Sequence, residues 1–235
     1  MLTLAFDTSS NKGGVALLKN ETVLNRLVWD REGSHGELLT PALQRCLEQS
    51  GHSPKDLDAL AIGQGPGSFT GVRIAVNAAK ALAYSLDKPV FVFDSTEILA
   101  AGVPVESKAL LTLINAHKNL VFAALFSPDQ GQWQRRGDIE VLDVDSLNAK
   151  ISVPVLCVGD GYDEFKTQLD PRTLSLLERR AGLSDDPLPE ALGLLAWRER
   201  RTRKAMGWKD VQALYIRASG AEEKLRESRM KRSEG

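Results

Sequence analysis

The sequence predicts an α/β protein made of two related domains, each a mixed β-sheet with helices packed on it. Three strand-like runs open the chain as an antiparallel meander, and a helix, a buried strand and a second helix follow. The same succession begins again after Ala100–Glu106, and an internal repeat of this size indicates two domains rather than one long sheet. We therefore predict domains over residues 1–105 and 106–217, followed by a charged tail or short helix over 218–235.

The strands of the first half are predicted from apolar runs and from the turns between them. The three runs of the meander are Leu2–Phe6, Val15–Leu18 and Thr22–Trp29. The first two flank Asn11–Gly14, whose glycines tolerate the positive φ of a hairpin turn. Further strands are predicted over 57–62 and 90–93.

An apolar stripe with a spacing of four residues predicts the helix after the meander. Its members are Leu39, Leu43 and Leu47. Pro41 leaves two alternatives. It is the first helical residue behind a Thr40 cap, or it kinks a helix that begins near Ser34.

The second half repeats these features. The strand Ala109–Ile114 ends at Asn115, as Leu2–Phe6 ends at Asp7. Strands are predicted at 121–126 and 155–158, and helices at 162–169 and 189–203.

Composition excludes several classes of protein. With 43% hydrophobic residues and a net charge of −1, the chain is neither disordered nor broadly basic, so any contact with RNA is indirect or local. Cys46 and Cys157 lie in apolar surroundings and are predicted to be buried thiols. No signal peptide and no membrane-spanning run is recognisable, and we expect a cytoplasmic protein.

The most distinctive stretch is the glycine-rich segment Gly65–Gly71, ahead of a helix predicted from about Val72 to Leu86. It matches neither a Walker loop nor the dinucleotide fingerprint. Its glycines permit close approach of another chain or a ligand, and Ser68 or Thr70 can cap the helix. A row of small residues continues along that helix and faces either a second helix or the domain's own core. The row is Gly71, Ala75, Ala79 and Ala83.

Few residues are candidates for chemistry. The loop Asp7–Ser9 follows a strand and either presents N–H groups and an acid to phosphate or metal, or is a plain turn. The histidines show no metal-binding spacing, and surface or capping roles are expected for His35, His52 and His117. The basic run Arg198–Lys204 is a solvated helix end or a contact with nucleic-acid phosphate.

These residues resemble the TsaB (YeaZ) family along most of the chain. The resemblance rests on Ala5–Ser9, on Ser34–Pro41 and especially on Gly65–Arg73, which is highly specific. The second half is looser: Asn115–His117 stands where relatives commonly show Asp-Ala-Arg, whereas Leu214–Arg217 resembles the family's closing Tyr-x-Arg.

The resemblance implies the ASKHA fold of acetate kinase, hexokinase, Hsp70 and actin, with two RNase H-like domains. It also implies a non-catalytic component of the complex that forms N6-threonylcarbamoyladenosine at position 37 of tRNAs reading ANN codons. The expected partners are the catalytic subunit TsaD, in a heterodimer, and the ATPase TsaE. tRNA is expected to be contacted indirectly. No cofactor is expected to bind tightly to this chain alone, because ATP, ADP and Mg²⁺ are handled by the partner complex.

The resemblance places the partner interface on the N-terminal helices, and a homodimer through the same surface is expected when the partner is absent. The interface residues predicted from it are Leu39, Leu43, Leu47, Gly71, Val72, Arg73, Ala75, Val76, Ala79 and Ala83. Whether the free protein is a monomer or a dimer, and whether nucleotide binds at the interface, stay open.

Two rival functions are enzymatic. A phosphotransferase of the same superfamily would use Asp7 as its metal acid, but the counterpart of Asp7 in the second half is the neutral Asn115. A metalloprotease would need a second ligand beside His35. TsaD carries two histidines four residues apart, and here the residue four beyond His35 is Leu39.

Overall fold

The structure is a computed structural model that describes residues 1–30 and 34–216. The predicted tail over 218–235, and Arg217 of the closing motif, lie outside the described residues.

The first sheet has five strands in the order β3-β2-β1-β4-β5. The meander pairs antiparallel, and β1, β4 and β5 run parallel. The strands are β1 Leu2–Asp7, β2 Lys12–Lys19, β3 Thr22–Asp30, β4 Ala59–Gly63 and β5 Val90–Phe93. The helices of this half are α1 His35–Gln49, α2 Phe69–Leu86 and α3 Ser95–Ala101, with a 3₁₀ turn at Pro54–Asp56.

The second sheet repeats this arrangement in the order β10-β9-β6-β7-β8. Its first three strands are again an antiparallel meander, and β9 pairs parallel to β6. The strands are β6 Leu110–Asn115, β7 Val121–Asp129, β8 Gln132–Leu142, β9 Val155–Val158 and β10 Leu177–Glu178. The remaining helices are α4 Val144–Lys150, α5 Gly161–Phe165, α6 Pro171–Leu176 and α7 Pro189–Glu199.

Alternating side chains of β1 divide between two cores. Leu4 and Phe6 face α1 and α2, whereas Ala5 faces the other side of the sheet, where Leu192 of α7 packs. This period of two is the one expected of a strand that is covered on both faces.

The last described segment packs on the first sheet. α7 packs on β1 and β2 of the first sheet, and Val211 is buried in the core beneath α1 and α2. The predicted second domain includes residues 189–216 because the helix at 189–203 completes the repeated order of elements. Apolar side chains of α7 instead cover the face of the first sheet that α1 and α2 leave free.

One helix start agrees with an alternative that the sequence left open, one differs from expectation, and one helix was not predicted. Pro41 lies inside α1, whose N-cap is Ser34, so the alternative with Thr40 as the cap is wrong. α2 begins at Phe69, and the Ser68 side chain accepts a hydrogen bond from the Gly71 N–H, so Ser68 is the cap. α3 was not predicted, although Asp94 and Glu97 form a capping box at its start.

Candidate functional site

The candidate site is the point where the loop after β1 meets the glycine-rich loop before α2. Asp7, Thr8 and Ser9 are all buried. The Ser68 N–H donates to the Ser9 carbonyl at 2.7 Å, and the Thr8 hydroxyl donates to the Gly71 carbonyl at 2.7 Å. The two loops are therefore held to each other by these hydrogen bonds.

The glycines allow this close approach. A Cβ at Gly67 would lie 2.2 Å from the Ser9 carbonyl oxygen, and one at Gly71 would lie 1.8 Å from that of Thr8. Gly67 also has a φ of 156°, which side chains rarely adopt. The close neighbour of the glycine-rich loop is thus another loop of its own chain.

Asp7 has one satisfied and one unsatisfied oxygen. Its Oδ1 accepts hydrogen bonds from the Ser9 N–H at 2.8 Å and from the Ser9 hydroxyl at 2.7 Å. Its Oδ2 is buried and has no hydrogen-bond partner among the described residues. Burial raises the pKa of Asp7 to about 6, against the lowering effect of the Ser9 hydrogen bonds.

Asn115 occupies the corresponding position in the second half and is engaged locally. Its N–H donates to Asp160 Oδ1 at 2.9 Å, and its side-chain amide donates to Glu164 at 3.0 Å. Its Oδ1 accepts from the His117 N–H at 2.7 Å. Burial raises the pKa of Asp160. The side-chain amide thus donates to one acidic residue, Glu164, a role that a carboxylate could not take without charge repulsion.

His35 is not a surface residue, and the expectation for it was wrong. It is buried, the Trp29 indole N–H donates to its Nδ1 at 3.1 Å, and its Nε2 lies 3.0 Å from the Ser10 carbonyl oxygen. Nε2 therefore carries the proton, because Nδ1 accepts. Both ring nitrogens are used inside the fold. Residues 1–30 and 34–216 contain no group of three potential metal ligands.

The predicted interface residues are mostly core. Leu39, Leu43 and Leu47 pack beneath α1, and the small-residue row packs against the same core, so the alternative that the row faces its own domain is correct. Of the ten residues, only Arg73 is exposed; the buried ones are Leu39, Leu43, Leu47, Gly71, Val72, Ala75, Val76, Ala79 and Ala83.

Between α1 and α2 lies an apolar groove of about 690 Å³. Leu43 and Leu47 form part of its floor, and Ala81 is exposed at its edge. Sequence reasoning missed Ala81, although its position six residues after Ala75 places it on a different face of the helix from the buried row.

Sequence reasoning also missed how the last described segment is attached to α2. Tyr215 lies against Phe69, with ring centroids 5.1 Å apart, and accepts a hydrogen bond from Arg73 Nε at 2.9 Å. The Leu214 N–H donates to the Gln64 carbonyl at 2.8 Å. The closing Tyr-x-Arg pattern marked this segment as a family motif, but it did not indicate that Tyr215 contacts α2.

Two remaining expectations concern the burial of the two cysteines and the search for a membrane-spanning helix. Both cysteines are free and buried, as predicted. Burial raises the pKa of the Cys46 thiol to about 11. None of the helices in the described ranges has the length and apolar character needed to cross a bilayer.

Comparison with known proteins places these features in a family. A sequence model described as "TsaD: tRNA N6-adenosine threonylcarbamoyltransferase" matches residues 31–144. The "tRNA threonylcarbamoyladenosine biosynthesis protein TsaB" of Escherichia coli is 30% identical over 234 residues, covering 96% of this chain and 98% of the relative. The Bacillus subtilis protein of the same name is 35% identical, over 56% of this chain and only 57% of the relative's own length.

The structural comparison agrees with the sequence comparison. The crystal structure of YeaZ from Pseudomonas aeruginosa superposes with a TM-score of 0.74 at 25% identity, covering 92% of this chain and 99% of that one. The predicted fold class, ASKHA with two RNase H-like domains, is confirmed. The chain therefore belongs to the TsaB family of tRNA threonylcarbamoyladenosine biosynthesis proteins.

Proposed function

We propose that this chain is a non-catalytic subunit of the complex that makes N6-threonylcarbamoyladenosine in tRNA, and that it supports a TsaD-like catalytic subunit. The observation that carries the proposal is the state of His35. In a catalytic relative with a metal-binding histidine pair, such a side chain must offer a free nitrogen to the metal. Here Trp29 and Ser10 engage both nitrogens, and Leu39 stands where a second histidine would be.

The first loop supports the same proposal. Backbone N–H groups after β1 are the natural donors to a phosphate group in a loop of this kind. The Ser9 N–H instead donates to Asp7 Oδ1, and the glycine-rich loop packs on Thr8 and Ser9 within hydrogen-bond distance. The rival phosphotransferase would need Asp7 to reach a metal ion, and Asp7 is completely buried.

The groove between α1 and α2 is the proposed partner surface. Its lining is mainly apolar, with polar side chains such as Thr40 and Gln44 at the rim. A core of apolar side chains inside a polar rim is the composition of a protein interface. TsaD is the proposed partner, and a second copy of this chain is the proposed occupant when TsaD is absent.

The remaining components are proposed from the family resemblance. TsaE joins the heterodimer, ATP, ADP and Mg²⁺ are handled by the assembled complex, and tRNA reaches this chain through that complex. The proposed location is the cytoplasm.

Coexpression with a TsaD homologue tests the proposal. We expect a stable heterodimer by native mass measurement, and threonylcarbamoylation of tRNA only when both subunits, TsaE and threonylcarbamoyl adenylate are present. The isolated chain should show no turnover with ATP, Mg²⁺ and small acids or sugars. Turnover by this chain alone at about 1–100 per second would favour the phosphotransferase instead.

A further inference from the structure

We propose that the segment Trp197–Asp210, together with Tyr84 of α2, forms a binding surface for single-stranded RNA. The segment contains six basic and two acidic residues, a net charge of +4, in a chain whose net charge is −1. It also contains two tryptophans. Local positive charge interleaved with aromatic rings is the composition that binds phosphates and stacks bases.

The charges of this segment are not equally available. Arg203 is half-buried, lies over the Phe93 ring and pairs with Glu97 and Glu199, so it is used within the fold. Arg201, Lys204 and Lys209 are exposed and form no ion pair within residues 1–30 and 34–216. Arg198 pairs with Glu21, and Arg203 pairs with Glu97 and Glu199. The field outside this surface is therefore set by Arg201, Lys204 and Lys209, reduced by the exposed Asp210.

The aromatic side chains are exposed beside one of these cations, Lys209. Tyr84 is 69% exposed and Trp208 is 37% exposed, and their ring centroids lie 5.0 Å apart in an edge-to-face pair. Lys209 Nζ lies 5.4 Å from the Trp208 centroid. Tyr84 and the exposed part of Trp208 offer aromatic surface on which unpaired bases can stack, and a lysine beside the ring can contact the adjoining phosphate.

The backbone of the segment is fixed in place. Met206 and Val90 exchange two backbone hydrogen bonds, at 2.8 and 2.9 Å, which attach the segment to the start of the edge strand β5. The aromatic pair then ties Trp208 to the end of α2. The surface is therefore preorganised, which reduces the entropic cost of binding.

RNA fits this surface better than a protein does. Arg201, Lys204 and Lys209 supply positive charge to the surface without a partner carboxylate among the described residues, and repeated phosphates complement that charge. The groove proposed for the partner subunit has an apolar lining and lies between α1 and α2, whereas this surface lies at the end of α2 and beside β5. The RNA expected in the cell is tRNA, an identification that rests on the proposed function.

Binding of a fluorescent oligouridine and of unmodified tRNA to the full chain tests the inference by anisotropy. We expect Trp208→Ala to weaken oligouridine binding at least about fivefold, because a stacked base contributes at least that factor. Trp208→Tyr should restore most of the affinity. Both variants should leave the affinity for inorganic polyphosphate unchanged, because that ligand has no bases.

The cations are tested by salt dependence. Arg201→Gln combined with Lys204→Gln should lower the slope of log affinity against log salt by about 0.7 for each phosphate that the variant no longer neutralises. Arg172→Gln, an exposed arginine on α6 of the second half, is the control for loss of charge and should change neither slope nor affinity. Circular dichroism melting curves confirm that each variant is folded.

Two results would overturn the inference. One is RNA affinity that stays within twofold of the unmodified chain in both the Trp208→Ala and the double-glutamine variants. The other is loss of TsaD binding in Trp208→Ala with RNA affinity intact, which would make this a protein-binding surface. Failure of the proposed function is a separate outcome: the chain would bind RNA here but neither pair with TsaD nor support tRNA modification.

Discussion

Thr8 and Gly71 hold the first loop of the chain against the start of α2. The Thr8 hydroxyl donates to the Gly71 carbonyl at 2.7 Å, and the Thr8 carbonyl oxygen would lie 1.8 Å from any Cβ at Gly71. The hydrogen bond requires an approach that only glycine permits. This pair joins two segments that are 63 residues apart in the sequence. The close packing against Thr8 explains why position 71 of the motif is a glycine, without a role in ligand binding.

Gly71→Ala should destabilise the chain by about 3 kcal/mol, the upper end of the cost of overpacking, because the new methyl group meets backbone rather than a flexible side chain. Urea unfolding measures the change. Gly36→Ala is the matched control, since Gly36 is also near the start of a helix but is exposed with no neighbour closer than 3.4 Å. It should stabilise slightly through helix propensity. Equal effects at both positions would contradict the close approach of Thr8.

His35→Ala should cost about 1–3 kcal/mol of unfolding free energy, because it leaves the partly buried Trp29 N–H and Ser10 carbonyl without their partner. Chemical denaturation measures this loss. His52→Ala controls for removal of an imidazole at a less buried position and should cost less than about 1 kcal/mol. Binding of Zn²⁺ that depends on His35 would contradict the structural role.

Asp7 should make stability fall as pH rises. Its folded-state pKa of about 6 lies above the ordinary value of about 4, so the folded chain holds this proton more tightly than the unfolded chain does. The contribution is present below pH ~4 and is lost as the pH rises through about 6. The difference between pKa values of about 4 and about 6 corresponds to roughly 3 kcal/mol of unfolding free energy.

Asp7→Asn removes this titration while keeping the oxygen that accepts from Ser9. Relative to the unmodified chain, the variant should gain roughly 2–3 kcal/mol between about pH 4.5 and 7.5. Urea unfolding at several pH values measures the difference, with the exposed Asp145→Asn as the control. A stability difference that does not vary with pH would show that Asp7 has an ordinary pKa.

Ala79→Arg and Ala81→Arg should behave differently although they are two residues apart. Ala79 is completely buried, so an arginine there should prevent folding. Ala81 is exposed at the edge of the α1–α2 groove, so its variant should fold but bind TsaD, or a second copy, at least about tenfold more weakly.

Sedimentation velocity and native mass measurement report these associations. Asn77→Arg is the control, because Asn77 is exposed on α2 but does not line the groove. Unchanged association in the Ala81→Arg variant would place the interface elsewhere.

The sequence by itself determined the features that depend on local pattern. Strand β5 at Val90–Phe93 was predicted at its observed limits, since an apolar run beginning behind Pro89 defines both its type and its start. The repeated strand-turn-strand order predicted two sheets, and both formed. The Gly65–Arg73 motif was specific enough to indicate the family before its surroundings in the fold were known.

Only the tertiary structure decided which surfaces these elements meet. A spacing of four residues shows that Ala75 and Ala79 share a helix face. It does not show whether that face packs in the protein's own core, as it does here, or against a partner. The burial of His35 could not be predicted from its neighbours in the sequence, because its partners Trp29 and Ser10 lie on other elements of the fold. α7 returns to the first sheet, where Gly193 meets Leu18 and Pro189 meets Gly14, and periodicity within a helix carries no information about such distant partners.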